Sequence, residues 1–213
     1  MNIRRRNLVL ALGLAPFGAL AQARQPAPGV DYTELRPGLP VATQGKIEVL
    51  EFFWYGCPHC YTLEPLLETW IPTLPADAQF RRVPAVLNPA WANEAAVFYA
   101  FEALDVLARL HRPFFDSIHR DRLQTRDAAS LNDWLQKNGV DVKKFELAVK
   151  SFGVQSKVRR ATQLSADYRI DGTPALAVHG RFTVSAEQAR SQKGMLAVTE
   201  YLIGVARKER AKT

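Results

Sequence analysis

Cysteine is almost missing from this sequence. The 213 residues hold two, Cys57 and Cys60, and both fall in one stretch, EFFWYGCPHCYTLEP at 51–65. Two cysteines exclude a scaffold stapled by many disulfides, and the lack of a second pair argues against a four-ligand structural zinc site. There is no glycine-rich phosphate loop, no internal repeat and no low-complexity tract. After residue 21 no apolar run is long enough to cross a membrane. Charge of one sign is not concentrated anywhere either. The net charge is +7, acids and bases alternate along the chain, and the KVRR run at 157–160 is short. It reads as a solvated helix face, so nucleic acid is not an expected partner.

What is present starts at the N-terminus. Arg4, Arg5 and Arg6 precede LVLALGLAPFGALA at 8–21, an uncharged run followed by small-x-small cleavage sites at ALA and AQA. This is the three-part layout of a secretory signal peptide, expected over 1–23, with Sec and twin-arginine export both open. No cysteine follows the run, so no lipid anchor is expected. Cleavage after Ala23 leaves 190 residues with net charge +4. The expectation is a periplasmic, soluble protein in a compartment where disulfides persist. Two cysteines there could form one structural bridge. A bridge across a two-residue gap closes a very short loop, however, and the entropic gain from a disulfide grows with loop length. The pair reads better as a reactive centre.

The order of elements gives the fold class. IEVLEFFW at 47–54 is nearly continuous in apolar character, as a strand buried on both faces should be. A helix follows, with Leu63, Leu66, Leu67 and Trp70 at helical spacing, then a second strand at 79–87 expected parallel to the first. Helices are expected over 90–107, through HRPFFDSIHRD, over a segment ending at Gly139, from an Asp141 cap, and over 154–168. PALAVHGRFTV then reads as a hairpin around His179–Gly180, and 194–210 as a closing helix with a basic last turn. The fold class is α/β: a thioredoxin-like fold, 24–89 and 166–213, with an inserted helical domain at 90–165.

Thiol–disulfide exchange needs an accessible thiolate and a second thiol to resolve the mixed disulfide. Cys57 falls where a strand ends and a helix begins, and helix N-termini favour anions. Pro58 suits the first helical turn, where its missing N–H is not needed. Cys60 lies one helical turn on. His59 between them can add a positive charge or a hydrogen bond. GTPA at 172–175 puts a proline at the start of an apolar strand run, explained by a cis Thr173–Pro174 bond beside the cysteines. The Thr173 backbone is the expected contact for an extended client, with apolar residues such as Trp54 and Tyr55 around Cys57. Glu51 interrupts the apolar strand six residues before Cys57. It reads equally as a buried acid serving Cys60 or as a partner of Arg82 or Lys46. His111, His119 and His179 show no partner spacing and read as surface or packing residues. Trp70, Trp91 and Trp134 read as core.

VLEFFWYGCPHC together with GTPA resembles the DsbA family of periplasmic thiol:disulfide oxidoreductases. The resemblance covers nearly all of the chain after residue 23. It implies a dithiol oxidase with Cys57 as nucleophile, Cys60 as resolving thiol, Pro174 as cis-proline, Glu51 as buried acid and Glu64 as a nearby helix carboxylate. Threonine precedes the cis-proline, where an aliphatic residue is common in the family. The resemblance also implies clients that are reduced, unfolded exported proteins, and re-oxidation by a DsbB-type inner-membrane quinone-linked oxidase. No cofactor or metal is expected, and the protein should act as a monomer. A periplasmic reductase or isomerase shares the motif, though the short stretch before the first core strand leaves no room for an isomerase's dimerisation domain. A metal-binding carrier using Cys57, His59 and Cys60 is a further alternative.

Overall fold

The structure, a computed structural model, describes residues 24–43 and 45–210. The expected signal peptide at 1–23 lies outside them.

Five strands form one sheet: β1 (Thr33–Glu34), β2 (Ile47–Phe53), β3 (Ala78–Pro84), β4 (Ala175–Val178) and β5 (Phe182–Ser185), in the order β1-β5-β4-β2-β3. β2 runs parallel to β3 and antiparallel to β4. With a partner on each side and helices on both faces, every residue of IEVLEFF is buried. That is why the segment reads as a continuous apolar run.

The two-residue period of β2 then sorts its side chains. Ile47 and Val49 share a core with Leu63 and Leu67 of helix α1 (Pro58–Trp70) and Leu202 and Ile203 of the closing helix α7 (Gln192–Arg210). Leu50 and Phe52 face the other way, toward Ala161 of α6 (Phe152–Asp167) and Tyr168 just beyond it. Glu51 has the parity of Ile47 and Val49, which places a carboxylate under α1. The β4–β5 hairpin turns at His179 and Gly180, both at positive φ, 50° and 70°. A Cβ on Gly180 would lie 2.1 Å from the Leu39 carbonyl oxygen, so only glycine fits this turn.

The middle of the chain is helical: α2 (Ala92–Ala103), α3 (Leu107–His119), α4 (Ala128–Lys137) and α5 (Val142–Lys150). The single helix expected over 90–107 is divided. Asp105 takes φ 55°, a left-handed conformation that ends α2 and lets α3 start in a new direction. Asp141 caps α5, its carboxylate accepting from the Lys144 N–H at 3.1 Å. Gly139 sits at φ 70° just past α4. α6 spans residue 165: its Val154 and Val158 pack on Ala95 and Ala96 of α2, while Ala161 reaches the sheet.

The larger core of the helical layer is not its own. Phe98, Phe101, Phe114, Phe115, Trp134 and Phe145 pack in one cluster with Phe53, Tyr55, Cys57 and Cys60. The apolar surface that holds the helices together is the same surface that seats the loop between β2 and α1.

Candidate active site

β2 ends at Phe53 and α1 starts at Pro58, so four residues carry the chain from the sheet edge to the helix N-terminus. Cys57 is the N-cap. Its backbone is extended, φ −84° and ψ 117°, and its Sγ accepts from the Cys60 N–H at 3.4 Å. A sulfur thus does what a serine or aspartate oxygen does at other helix starts. Pro58 takes the first helical position, as expected. Cys57 Sγ also meets the Thr173 carbonyl oxygen at 3.3 Å, across the cis Thr173–Pro174 bond. A second cis bond, Arg36–Pro37, lies on the loop after β1, and nothing in the residues around it announced it.

The two thiols share a helical turn and titrate in opposite directions. The Cys60 thiol hydrogen-bonds the Cys57 sulfur. Burial opposes ionisation, but the Thr173 side chain and the backbone N–H groups of Cys60 and His59 add to the first effect, and Cys57 is lowered to about 5. Cys60 is completely buried. Burial, the hydrogen bond to Cys57 and the charge of that neighbour hold its thiol well above the ordinary range. Cys57 itself is only 6% exposed, so the sulfur is reached through a narrow opening and not displayed on a loop tip. The His59 side chain is exposed. What this residue places toward Cys57 is its backbone N–H, and its carbonyl accepts from Gln192 Nε2 at 2.7 Å.

Beneath the dithiol lies a buried charged cluster. Glu51 is fully buried and in ion-pair contact with Arg82 Nε at 3.1 Å, aligned too poorly for a hydrogen bond. Arg82 donates instead to Glu64 Oε2 at 2.9 Å. Burial and the negative charge of Glu64 raise Glu51 to about 8, against the opposing pull of Arg82. Burial also pushes Glu64 upward, but His111 and Arg82 outweigh it and hold that carboxylate below its ordinary value. Glu51 is thus both buried and paired with Arg82.

A pH signature follows. Between about 4.5 and 8 folded Glu51 keeps a proton that the unfolded chain releases, so its contribution to stability falls as pH rises through that window. Glu51→Gln removes the penalty. We expect the melting temperature of the variant to match the parent near pH 4 and to exceed it by a few degrees at pH 8.5. An equal offset at both pH values would show that burial of this carboxyl is not the cause.

Two expectations need correction. His111 is neither a surface residue nor simple packing. Its Nδ1 bonds the Tyr55 hydroxyl at 2.8 Å and its Nε2 meets Glu64 Oε1 at 3.3 Å. His119 also has a partner, bonding the Tyr55 carbonyl oxygen through Nε2 at 2.8 Å. Cys57 packs, as expected, in an apolar cluster with Phe53, Tyr55 and Phe98. Tyr55 is core, and Trp54 stacks flat on Trp91 with ring centroids 4.2 Å apart. The cavity of about 800 Å³ beside Pro174 is lined by polar and apolar groups in similar measure, Thr62, Thr183 and Gln192 beside Leu35, Ile170 and Val184. Among the described residues no cluster of histidines, cysteines and carboxylates has metal-binding geometry.

A dithiol at the N-terminus of a helix, backed by a cis-proline and seated on a mixed sheet, defines a thioredoxin-like thiol:disulfide oxidoreductase. Comparison with known proteins narrows the class. The DSBA-like thioredoxin domain family matches residues 48–194. The thiol:disulfide interchange protein DsbA of Pseudomonas aeruginosa is 36% identical over 209 residues, 97% of this chain and 98% of that protein. Its counterpart in Bordetella pertussis is 38% identical over 202 residues, 94% of this chain and 96% of that one. The crystal structure of Pseudomonas aeruginosa DsbA superposes with a TM-score of 0.81 at 34% identity, covering 87% of this chain and 96% of that one. The oxidoreductase DsbA from Xylella fastidiosa gives 0.80 at 30% identity, covering 87% and 100%. The chain belongs to the DsbA family. It is a periplasmic dithiol oxidase with a redox-active Cys57–Cys60 centre.

Proposed function

We propose that Cys57 is the sulfur exchanged with clients, that Cys60 resolves the mixed disulfide, and that Glu51 carries the proton of Cys60. The observation that carries this reading is the opposite tuning of two thiols in one helical turn: Cys57 lowered to about 5 and Cys60 raised.

In the oxidised protein a client thiolate attacks Cys57 Sγ. The Cys57–Cys60 bond breaks, and Cys60 leaves with the electron pair and takes a proton from Glu51, which at neutral pH is mostly protonated. A second client thiolate then attacks the client sulfur of the mixed disulfide. Cys57 departs as a thiolate, which its hydrogen bonds accommodate. Two electrons pass from the client dithiol to the protein, and the client gains one disulfide. Pro174 and the Thr173 backbone support the client segment, and the exposed His59 side chain and Pro58 border the entry to Cys57. The thioredoxin-like segments 24–89 and 166–213 hold the chemistry, and the helices of 90–165 cover it.

The clients are reduced, unfolded exported proteins, the protein works as a monomer, and a DsbB-type inner-membrane quinone-linked oxidase removes the two electrons. The test is turnover. With a reduced, unfolded ribonuclease in excess, the oxidised protein alone should transfer one disulfide per molecule and stop. Added inner-membrane vesicles carrying such an oxidase and quinone should restore continuous oxidation. Turnover at the same rate with vesicles lacking the oxidase would overturn the assignment of partner.

A further inference from the structure

Tyr55 precedes Cys57 by two residues and is held at both ends by histidines of one helix. Its carbonyl oxygen accepts from His119 Nε2 at 2.8 Å, and its hydroxyl meets His111 Nδ1 at 2.8 Å. One tautomer satisfies His111 on both sides. With the proton on Nε2, the ring donates to Glu64 Oε1 at 3.3 Å and accepts the Tyr55 hydroxyl on Nδ1. The burial of His111 lowers its basicity and keeps the ring neutral in this arrangement. His119 is itself held. Its ring stacks on Tyr61 of α1 at 4.7 Å and 13°, and the Tyr61 hydroxyl donates to Asp116 of α3 at 2.9 Å. Arg112 lies over the Tyr61 ring at 5.2 Å and bonds the same Asp116.

Beyond the packing of the Tyr55 and Trp54 rings, the loop has few other anchors. Among the described residues, its backbone bonds outside this clamp are the turn from the Cys57 N–H to the Trp54 carbonyl at 3.0 Å and the start of α1. Gly56 between Tyr55 and Cys57 adds no side chain to fix the path. The indole of Trp54 already occupies the space a Cβ would take, the nearest ring atom falling 2.3 Å from it. The position of Cys57 therefore depends on where the Tyr55–Gly56 peptide is held.

We propose that His119, acting on the Tyr55 carbonyl, and His111, acting on the Tyr55 hydroxyl, are positioning residues through which the helical insertion sets the placement of Cys57 over Cys60 and Thr173. The Cys57 thiolate is stabilised by groups that must converge on Sγ: the Cys60 N–H donates to it at 3.4 Å, and the Cys60 thiol and the Thr173 side chain add to this. Hydrogen bonds weaken steeply as donor and acceptor lose alignment. A loop freed by a few tenths of an ångström loses much of that stabilisation while its apolar core stays intact. The insertion thus acts on the chemistry as well as covering it.

This inference rests on the assignment of Cys57 as the reactive sulfur, and the experiment separates the two. Thiolate absorbance against pH and the equilibrium constant with a glutathione buffer are measured for the parent, His119→Ala and His119→Gln. In the parent a Cys57 midpoint near the free cysteine value would sink the assignment itself. Given a low parent midpoint, His119→Ala should raise it by about one unit and weaken the protein as an oxidant about tenfold. His119→Gln, which keeps an N–H donor of similar reach, should recover most of both. A lowered melting temperature with unchanged midpoint and unchanged equilibrium constant would overturn the positioning role, because that is what a merely structural contact does. Should His119→Ala fail to fold, Tyr61→Leu removes the ring that holds the imidazole but leaves the imidazole. It is expected to move both readouts the same way by a smaller amount, and no movement there overturns the proposal.

Discussion

Cys60→Ser, mixed with a disulfide-bearing peptide, is expected to accumulate a stable mixed disulfide through Cys57, and Cys57→Ser to form little or none. Both variants should lose client oxidation by roughly a thousandfold or more, since only uncatalysed exchange remains. The asymmetry comes from geometry. Cys57 is the N-cap of α1, reached from outside, and ionises at about 5. Cys60 lies one turn inward with no exposed surface, and its thiol is pushed up. At neutral pH the first is a thiolate that can attack a peptide disulfide. The second is a thiol that no peptide can reach. In Cys60→Ser the attack on the peptide goes forward, and no internal sulfur returns to break the product. Mass analysis of the alkylated protein reads the adduct directly. Equal trapping by the two variants would remove the distinction between nucleophile and resolving thiol on which the mechanism stands.

The parts of this site that could be read from the sequence are those whose signal is local. β2 announces itself because both faces are buried, and α1 because its leucines recur with the helical period. Pro174 stands out because a proline is out of place in an apolar strand run. Glu51 is visible for the converse reason, a lone charge in such a run. What escaped the sequence depends on contacts far apart in the chain. His111 and His119 bond a tyrosine 56 and 64 residues away. No spacing within α3 shows this, since the partner is fixed only once the helices dock on the loop. The break between α2 and α3 was hidden for another reason. An aspartate at positive φ leaves no mark in hydrophobic periodicity, and the apolar residues continue through it. The expectation of an apolar surround for Cys57 named Trp54 and Tyr55 as candidates and left the core open to either. The core shared between the insertion and the active-site loop claims the tyrosine, and Trp91 covers the indole.

The thiolate absorbance of reduced Cys57 should titrate with a midpoint of about 5, and the consequence for the redox equilibrium has a definite sign. A free cysteine ionises near 8.5, and so does Cys57 in the unfolded chain. Stabilisation of the folded reduced protein by this group is therefore complete above that value and is lost as pH falls through about 5. The oxidised protein has no Cys57 thiol to titrate and shares none of it. Closing the Cys57–Cys60 bond also constrains the unfolded chain and favours the oxidised form, but that effect does not change with pH. The pH dependence of the difference isolates the thiolate. The melting temperature of the reduced form relative to the oxidised form should climb between pH 5 and 8 and flatten toward pH 4. Glu51 titrates within the same range in the folded protein, so the measurement is repeated in Glu51→Gln, where the climb should persist. If the difference between the two forms is flat from pH 4 to 8 in that variant, the Cys57 thiolate is not what makes this dithiol give up its disulfide. A climb that begins only near pH 8 would place Cys57 among ordinary cysteines, and the hydrogen bonds from Cys60 and the Thr173 side chain would then be contacts without chemical effect.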